Sequence, residues 1–98
     1  ITFAEVLHTS DVPGGVVNIL TGHRSELLEH FSSHMDVNAI VYCGTDNDEI
    51  ILVQQNAALN VKRPVVYTDQ DWMDNTVQDP YRILNTLETK VTWHPVGV

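Results

Sequence analysis

Apolar residues occur along the chain in short clusters, and the spacing inside each cluster predicts the element that it forms. Three clusters are compact, rich in β-branched residues and bounded by glycine, proline or polar residues, which is typical of short buried strands. These predicted strands are residues 16–20, 39–43 and 65–68. Four other segments are predicted to be helices, the first two because their apolar residues are largely three or four positions apart and the last two from residues typical of a helix start. These predicted helices are residues 3–9, 25–34, 48–61 and 80–89.

Residues at the predicted helix starts support this division. Ser25 is a candidate N-cap of the second helix, and Glu26 then lies near the positive end of the helix dipole. Residues 46–49, of sequence DNDE, resemble a calcium loop, but the later glycine and the twelfth-position glutamate of an EF-hand are missing. We therefore interpret them as the cap and first turn of the third helix. Pro80 suits the first turn of the fourth helix.

Strands that alternate with helices at this spacing predict right-handed βαβ crossovers and a parallel sheet. The fold class that we expect is α/β: a small three-layer, Rossmann-like domain with about three parallel strands flanked by helices. The sequence contains no clear repeat or linker, so we treat residues 1–98 as a single domain. Residues 92–98 are expected to leave the last helix and pack as a strap.

The chain carries 13 acidic and 5 basic side chains, a formal net charge of −8. Such a charge repels phosphate backbones and anionic membrane surfaces, so we expect neither nucleic acid nor a membrane as a partner. The sequence also has no run of roughly 18 apolar residues. The single cysteine, Cys43, has no partner for an internal disulfide, which favours a reducing, cytoplasmic compartment. We expect Cys43 to be a buried small hydrophobe at a strand end and not a nucleophile.

Three stretches in the first half of the chain carry a family resemblance. Residues 12–22 read VPGGVVNILTG, residues 33–37 read SHMDV and residues 40–45 read IVYCGT. In this order and spacing they resemble the cofactor-binding domain of the aldehyde dehydrogenase superfamily, with its pattern PxGVVNxxxG, a helix, then HxxVxxVxFTGS. The resemblance implies a fragment of a longer polypeptide, whose remainder is a partner of this chain.

The resemblance also implies a site for NAD or NADP. In that family, glycines let the backbone approach the dinucleotide, and a helix N-terminus offers N–H groups to its phosphates. The matching positions here are Gly22, Gly44 and Thr45. The parent protein would then be an NAD(P)-linked oxidoreductase.

Several residues depart from the family pattern on the phosphate side. Arg24 and Leu28 stand at positions where the family carries glycine. Glu49 replaces a further glycine, and with Asp46 and Asp48 it places up to three negative charges at the anion site. The cysteine and glutamate signatures that the family's chemistry needs do not occur in these residues, so we assign no catalytic residue.

Two hypotheses for the function follow. In the first, the chain supplies nucleotide-binding framework to an aldehyde-dehydrogenase-like oxidoreductase whose reactive cysteine lies elsewhere. In the second, it is a non-enzymatic interaction or oligomerisation domain that kept the fold and lost the cofactor site. For the isolated chain we favour the second, because the substituted glycine positions and the acidic segment both oppose dinucleotide binding.

Histidines near the second predicted helix allow two further interpretations. Glu26, His30 and His34 recur every fourth position, and a His-x3-His pair on one helix face can chelate zinc or nickel. The sequence fixes no third strong ligand, so we favour a solvated polar face and expect no metal requirement. His23 and Arg24 either contact a phosphate or are exposed loop residues.

Large apolar residues also occur outside the predicted elements. Trp72, Met73 and Trp93 either anchor an interface or cover an open edge or face of the small sheet. We expect a homodimer, formed through an unpaired sheet edge or through the tryptophan-bearing C-terminal half.

Overall fold

The structure, a computed structural model, describes residues 1–97. It contains four α-helices, two β-strands and one 3-10 turn within that range. In chain order they are α1 (Thr2–Thr9), α2 (Arg24–Ser33), β1 (Ala39–Cys43), α3 (Asn47–Leu59), β2 (Arg63–Tyr67), the 3-10 turn (Asn75–Val77) and α4 (Tyr81–Leu84). The predicted α/β class is confirmed.

The two strands are parallel, with Val41 opposite Val65. Parallel neighbours need a crossover connection, and α3 supplies it. The start of α3 is set by Asp46, whose Oδ1 accepts hydrogen bonds from the backbone N–H groups of Asp48 at 3.0 Å and Glu49 at 3.3 Å. The predicted βαβ unit is thus confirmed from residue 39 onward, and the acidic segment is the cap and first turn of α3.

The core lies between the two longer helices and one face of the sheet. Leu28 of α2, Tyr42 of β1 and Val53 of α3 are buried and form one cluster. Ser32 is also fully buried, and its hydroxyl accepts a hydrogen bond of 2.8 Å from the side-chain amide of Asn56. This bond joins α2 to α3 inside the core, and it gives the buried Ser32 hydroxyl a hydrogen-bond partner.

The predicted strand at residues 16–20 is wrong. These residues lie outside the helices and strands, and their apolar side chains Val16, Val17 and Ile19 are exposed. A strand is stabilised by hydrogen bonds to a neighbour, and in the described part of the chain the sheet consists of β1 and β2 alone. The sheet therefore has two strands there instead of about three.

The expected third layer is present only in part. Because strand residues alternate between faces, Tyr67 and Cys43 point away from α2 and α3. Over Tyr67, Arg82 lies 4.5 Å from the ring centroid, and Trp72 meets the same ring edge-on at 5.7 Å. The β1 half of this face is uncovered, so Cys43 is exposed and the expectation that it is buried is wrong.

The predicted helices are confirmed, with shifted ends. The second begins at Arg24 after His23, which makes no side-chain cap bond, so Ser25 is not the N-cap. The fourth ends at Leu84, well before residue 89. There the Thr86 hydroxyl donates a hydrogen bond to the carbonyl of Ile83 at 2.8 Å, and such local bonding by threonine competes with helix continuation.

The C-terminal residues do not form the expected strap. Residues 88–97 contain neither helix nor strand, and Trp93 is 81 % exposed. The face that a strap would cover is already occupied over β2 by Trp72 and Arg82. Trp72 therefore covers a sheet face, as one of our two interpretations proposed, whereas Met73 and Trp93 remain exposed. Residue 98 lies outside the described residues.

No helix among residues 1–97 is both long and apolar enough to cross a membrane.

Candidate functional site

Three side chains from three different elements meet at the carboxyl end of β1. Tyr42 comes from β1, Glu49 from the first turn of α3 and Arg24 from the first turn of α2. The Tyr42 hydroxyl donates a hydrogen bond to Glu49 Oε2 at 2.5 Å. The same oxygen lies 2.8 Å from Arg24 Nε. We call these three residues the end cluster.

The local sequence explains how the end cluster forms. β1 ends at Cys43, and the short turn that follows brings the chain directly into α3. The Asp46 cap fixes the first turn of α3, which places Glu49 back over the end of the strand. Gly44 leaves room for this packing, since a Cβ there would lie 2.8 Å from Tyr42 Oη and 3.1 Å from Arg24 Nη1.

The charges of the end cluster are largely satisfied within the protein. Glu49 accepts both a hydroxyl hydrogen bond and an ion pair, and its side chain is only 18 % exposed. The Arg24 guanidinium also lies 5.4 Å from the centroid of the Tyr42 ring, within the range of a cation–π contact. The hydrogen bond to Glu49, and to a lesser degree burial, raises the pKa of Tyr42 above its ordinary value, so the phenol stays protonated.

The three residues predicted to bind a dinucleotide lie in three different surroundings. Gly44 lies against the end cluster, because a Cβ there would come within 2.8 Å of Tyr42 Oη. Gly22 lies beside α2, where a Cβ would come within 3.1 Å of Leu27 Cδ1. Thr45 is exposed in the turn before α3. At the two glycines the available space is therefore limited by this chain's own side chains.

Sequence reasoning noted Arg24 and Glu49 separately and did not connect them. Both stand where the family pattern carries glycine, and their charges are opposite. Their opposite charges were a sequence signal for an ion pair, and the structure shows that Arg24 and Glu49 form one. Tyr42, identified only as a strand residue, is the third member that sequence reasoning missed.

The arrangement offers little to an anion. At a helix N-terminus the unbonded N–H groups and the dipole attract phosphate. At the start of α3, the N–H groups of Asp48 and Glu49 already bind Asp46, and the cap and first turn carry three carboxylates. The one cation present, Arg24, is paired with Glu49. The site is built to satisfy its own charges, and the residues do not fit a dinucleotide phosphate.

A groove begins beside the end cluster and follows β1. It has a volume of about 450 Å³ and lies between β1 and α2. Its apolar walls include Leu27 and Phe31 of α2, together with the strand residues from Ala39 to Cys43. We call it the edge groove.

The histidine face of α2 gathers no metal site. Glu26, His30 and His34 are all exposed. Residues 1–97 contain no group of three or more histidine, cysteine or acidic side chains placed to hold an ion. His34 Nδ1 instead accepts a hydrogen bond of 3.2 Å from the backbone N–H of Asp36, in the turn before β1. These observations favour a solvated face, and the absence of a metal requirement stays a prediction.

Comparison with known proteins supplies relatives for this chain. A hydroxyisobutyraldehyde dehydrogenase from Mycolicibacterium austroafricanum is 30 % identical over 84 residues, which cover 78 % of this chain and 17 % of that protein. Aldehyde dehydrogenase family 2 member C4 from Arabidopsis thaliana is 33 % identical over 61 residues, covering 62 % of this chain and 12 % of the relative. Aldehyde dehydrogenase 1 from Tanacetum cinerariifolium is 37 % identical over 51 residues, covering 52 % of this chain and 10 % of the relative.

This chain therefore corresponds to between 10 and 17 % of the length of these relatives. No solved structure matches it. The model of the aldehyde dehydrogenase family matches residues 1–68, which include both strands and the whole end cluster. The chain belongs to the aldehyde dehydrogenase family.

Proposed function

We propose that this chain is nucleotide-domain framework of an aldehyde-dehydrogenase-family oxidoreductase in which the phosphate subsite has been closed by the protein's own side chains. As an isolated chain it binds neither NAD nor NADP and catalyses no reaction. The observation that carries the proposal is the end cluster, in which Arg24, Glu49 and Tyr42 bind one another where the family resemblance places the phosphates.

Electrostatics supports the same conclusion. Arg24 compensates one of the three carboxylates at the start of α3, which leaves two negative charges uncompensated. Each of them opposes a phosphate about 6 Å away by about 0.7 kcal/mol even in a medium as polarisable as water. A dinucleotide would also have to break the ion pair between Arg24 and Glu49 before its phosphate reached the helix N-terminus.

The chain's own sequence offers no group for the family's chemistry. Its single cysteine, Cys43, lies at the end of β1 beside the groove and is exposed. A nucleophilic cysteine needs a base or a positive neighbourhood to form the thiolate, whereas three of the six residues after Cys43 are acidic and none is basic. A reactive cysteine would therefore lie elsewhere in the parent polypeptide. A cytoplasmic location remains part of the proposal, since a single cysteine needs no oxidising compartment.

A second candidate function is a non-enzymatic interaction or oligomerisation domain. It is favoured by the many large apolar side chains that are exposed, among them Val16, Phe31 and Val41. Large apolar side chains that are exposed are found at contact sites. This function is compatible with a closed phosphate subsite.

Thermal unfolding in the presence of NAD or NADP tests the proposal. A ligand at one hundred times its dissociation constant stabilises a protein by about 2.7 kcal/mol, which raises the Tm of a chain of this size by several degrees. We expect millimolar NAD or NADP to leave the Tm unchanged. A rise that saturates with dinucleotide, and that AMP alone does not reproduce, would contradict the proposal.

A further inference from the structure

Arg82 is the one arginine that has no carboxylate partner among the described residues. The other two arginines form ion pairs with glutamates, at 2.8 and 3.6 Å. Arg82 Nη2 instead donates a hydrogen bond of 2.6 Å to the side-chain amide oxygen of Gln70. The chain carries 13 acidic and only 5 basic side chains, so a shortage of carboxylates does not explain this difference.

The Arg82 guanidinium is also largely shielded from solvent. Its Nε and Nη1 atoms are buried and have no hydrogen-bond partner among the described residues. The guanidinium carbon lies 4.5 Å from the centroid of the Tyr67 ring and 5.3 Å from that of the Trp72 ring. These rings attract the cation but offer no oxygen to its N–H groups, and the Tyr67 hydroxyl is itself buried without a partner. Three buried donors therefore lack an acceptor, which is costly for a charged group.

Carboxylates that are close to Arg82 and Gln70 in the sequence have other partners. Asp71 Oδ1 accepts a hydrogen bond of 3.0 Å from the backbone N–H of Met73. Asp79 Oδ1 accepts one of 2.9 Å from the backbone N–H of Tyr81. Both carboxylates stabilise turns of the backbone, and the oxygen that reaches Arg82 comes from a neutral side chain.

Gln70 occupies the edge of the guanidinium that a carboxylate would use. Nε and Nη2 lie on the same edge, and a carboxylate can accept from both in a bidentate pair. The Gln70 amide oxygen binds Nη2, while its amide nitrogen donates to the carbonyl of Thr68 at 3.5 Å. The amide is planar and has the shape of a carboxylate, but it brings no charge and leaves Nε without an acceptor.

The position of Arg82 in the fold suits a small ligand. Tyr67 is the last residue of β2, and ligands of open α/β sheets bind outside the carboxyl ends of the strands. Trp72 is 50 % exposed and lies in a loop, outside the helices and strands. A shift of this loop would admit a small anion to Arg82, whereas a rigid protein surface would not reach buried donors.

We propose that Arg82 and Tyr67 form a binding site for a small carboxylate anion, and that Gln70 holds the place of this anion on the guanidinium. The carboxylate displaces the Gln70 amide and accepts hydrogen bonds from Arg82 Nε and Nη2 and from the Tyr67 hydroxyl. The net charge of −8 weakens the binding only in part, because 0.1 M salt screens over about 10 Å. The site lies at the end of β2 and does not depend on the closure of the phosphate subsite.

Tryptophan fluorescence tests the site directly. The variant Trp93→Phe leaves Trp72, which lies against Arg82, as the single tryptophan of the chain. It is titrated with sodium acetate while sodium chloride keeps the ionic strength constant. We expect a saturable change in Trp72 fluorescence with acetate and none with acetamide, the neutral molecule of the same shape. Sulfate, which is tetrahedral, should bind at least several-fold more weakly.

Variants in the same background assign the anion to this guanidinium. Gln70→Glu supplies a carboxylate within the chain, so it should abolish the response to acetate and raise the Tm. Gln78→Glu makes the same charge change at an exposed position of the same segment and should keep the response. Arg82→Lys retains the charge without the planar fork and should weaken acetate binding about tenfold. Tyr67→Phe should weaken it several-fold.

Several results would overturn this site. The absence of a saturable response to acetate refutes it, as does an equal response to acetamide. Acetate binding that persists unchanged in both Gln70→Glu and Arg82→Lys places the anion elsewhere. Equal affinity for sulfate contradicts the carboxylate class. All of these outcomes are independent of the dinucleotide titrations, so this site and the closed phosphate subsite can fail separately.

Discussion

Arg24 Nε lies 2.8 Å from Glu49 Oε2, and this ion pair joins the first turn of α2 to the first turn of α3. Either residue alone would put an uncompensated charge at the end of β1. Together they form an ion pair, which under the proposed function occupies the position that the family resemblance gives to a phosphate. The two charges are therefore coupled, and the Tyr42 hydroxyl donates a hydrogen bond to the same carboxylate oxygen.

A double-mutant cycle on Arg24 and Glu49 measures that coupling. We expect Arg24→Met and Glu49→Gln each to lower the free energy of unfolding. The coupling between them should be about 0.5–1 kcal/mol, at the upper end for exposed pairs because Glu49 is mostly buried while Arg24 is not. Urea denaturation of the four proteins provides the measurement. Arg63→Met with Glu88→Gln is the control, since that pair is 3.6 Å apart, its carboxylate is 61 % exposed, and it should show less coupling.

The titration of Tyr42 has a defined direction. Its hydrogen bond to Glu49 raises the pKa of the phenol above 10.0. A raised folded-state pKa means that the stabilisation is fully present below pH 10 and is lost as the pH rises through the folded-state pKa. We expect Glu49→Gln to lower the Tyr42 pKa towards its ordinary value. Ultraviolet absorbance of the phenolate, with Tyr42→Phe to identify the phase, reports the shift, and an unchanged Tyr42 phase in Glu49→Gln would contradict the assigned cause.

Removal of metal should have no effect on stability. Glu26, His30 and His34 are exposed and are not gathered into a ligand set among residues 1–97. We expect treatment with a chelator to leave the Tm of the purified chain unchanged. A fall of several degrees that zinc or nickel restores, and that His30→Ala prevents, would establish a metal site on this helix face.

The parts of the fold that the sequence predicted are those decided by local chemistry. The strand at residues 39–43 was predicted with its observed bounds, because an apolar run ends at Gly44 and a capping aspartate follows. The start of α3 followed in the same way from residues 46–49. Local signals of this kind need no knowledge of what lies nearby in space.

The parts that the sequence did not predict depend on a neighbour. Residues 16–20 have the composition of a strand, but composition provides no partner for their backbone hydrogen bonds. Cys43 is exposed because no element covers the β1 half of its face, which no local pattern reveals. The contact between Arg24 and Glu49 spans 25 positions and depends on how α2 and α3 pack. At the candidate site, therefore, the residues were recognised one by one and their convergence was not.

The proposed closure of the phosphate subsite is tested most directly by removing the two side chains that would close it. Calorimetric titration with NAD and NADP is compared for the native chain, the double variant Arg24→Gly/Glu49→Gly and the control Arg63→Gly/Glu88→Gly, each first checked for native secondary structure by circular dichroism. We predict no binding heat for the native chain or the control, and measurable binding for Arg24→Gly/Glu49→Gly. Binding by the native chain with a dissociation constant in the low micromolar range would contradict the account.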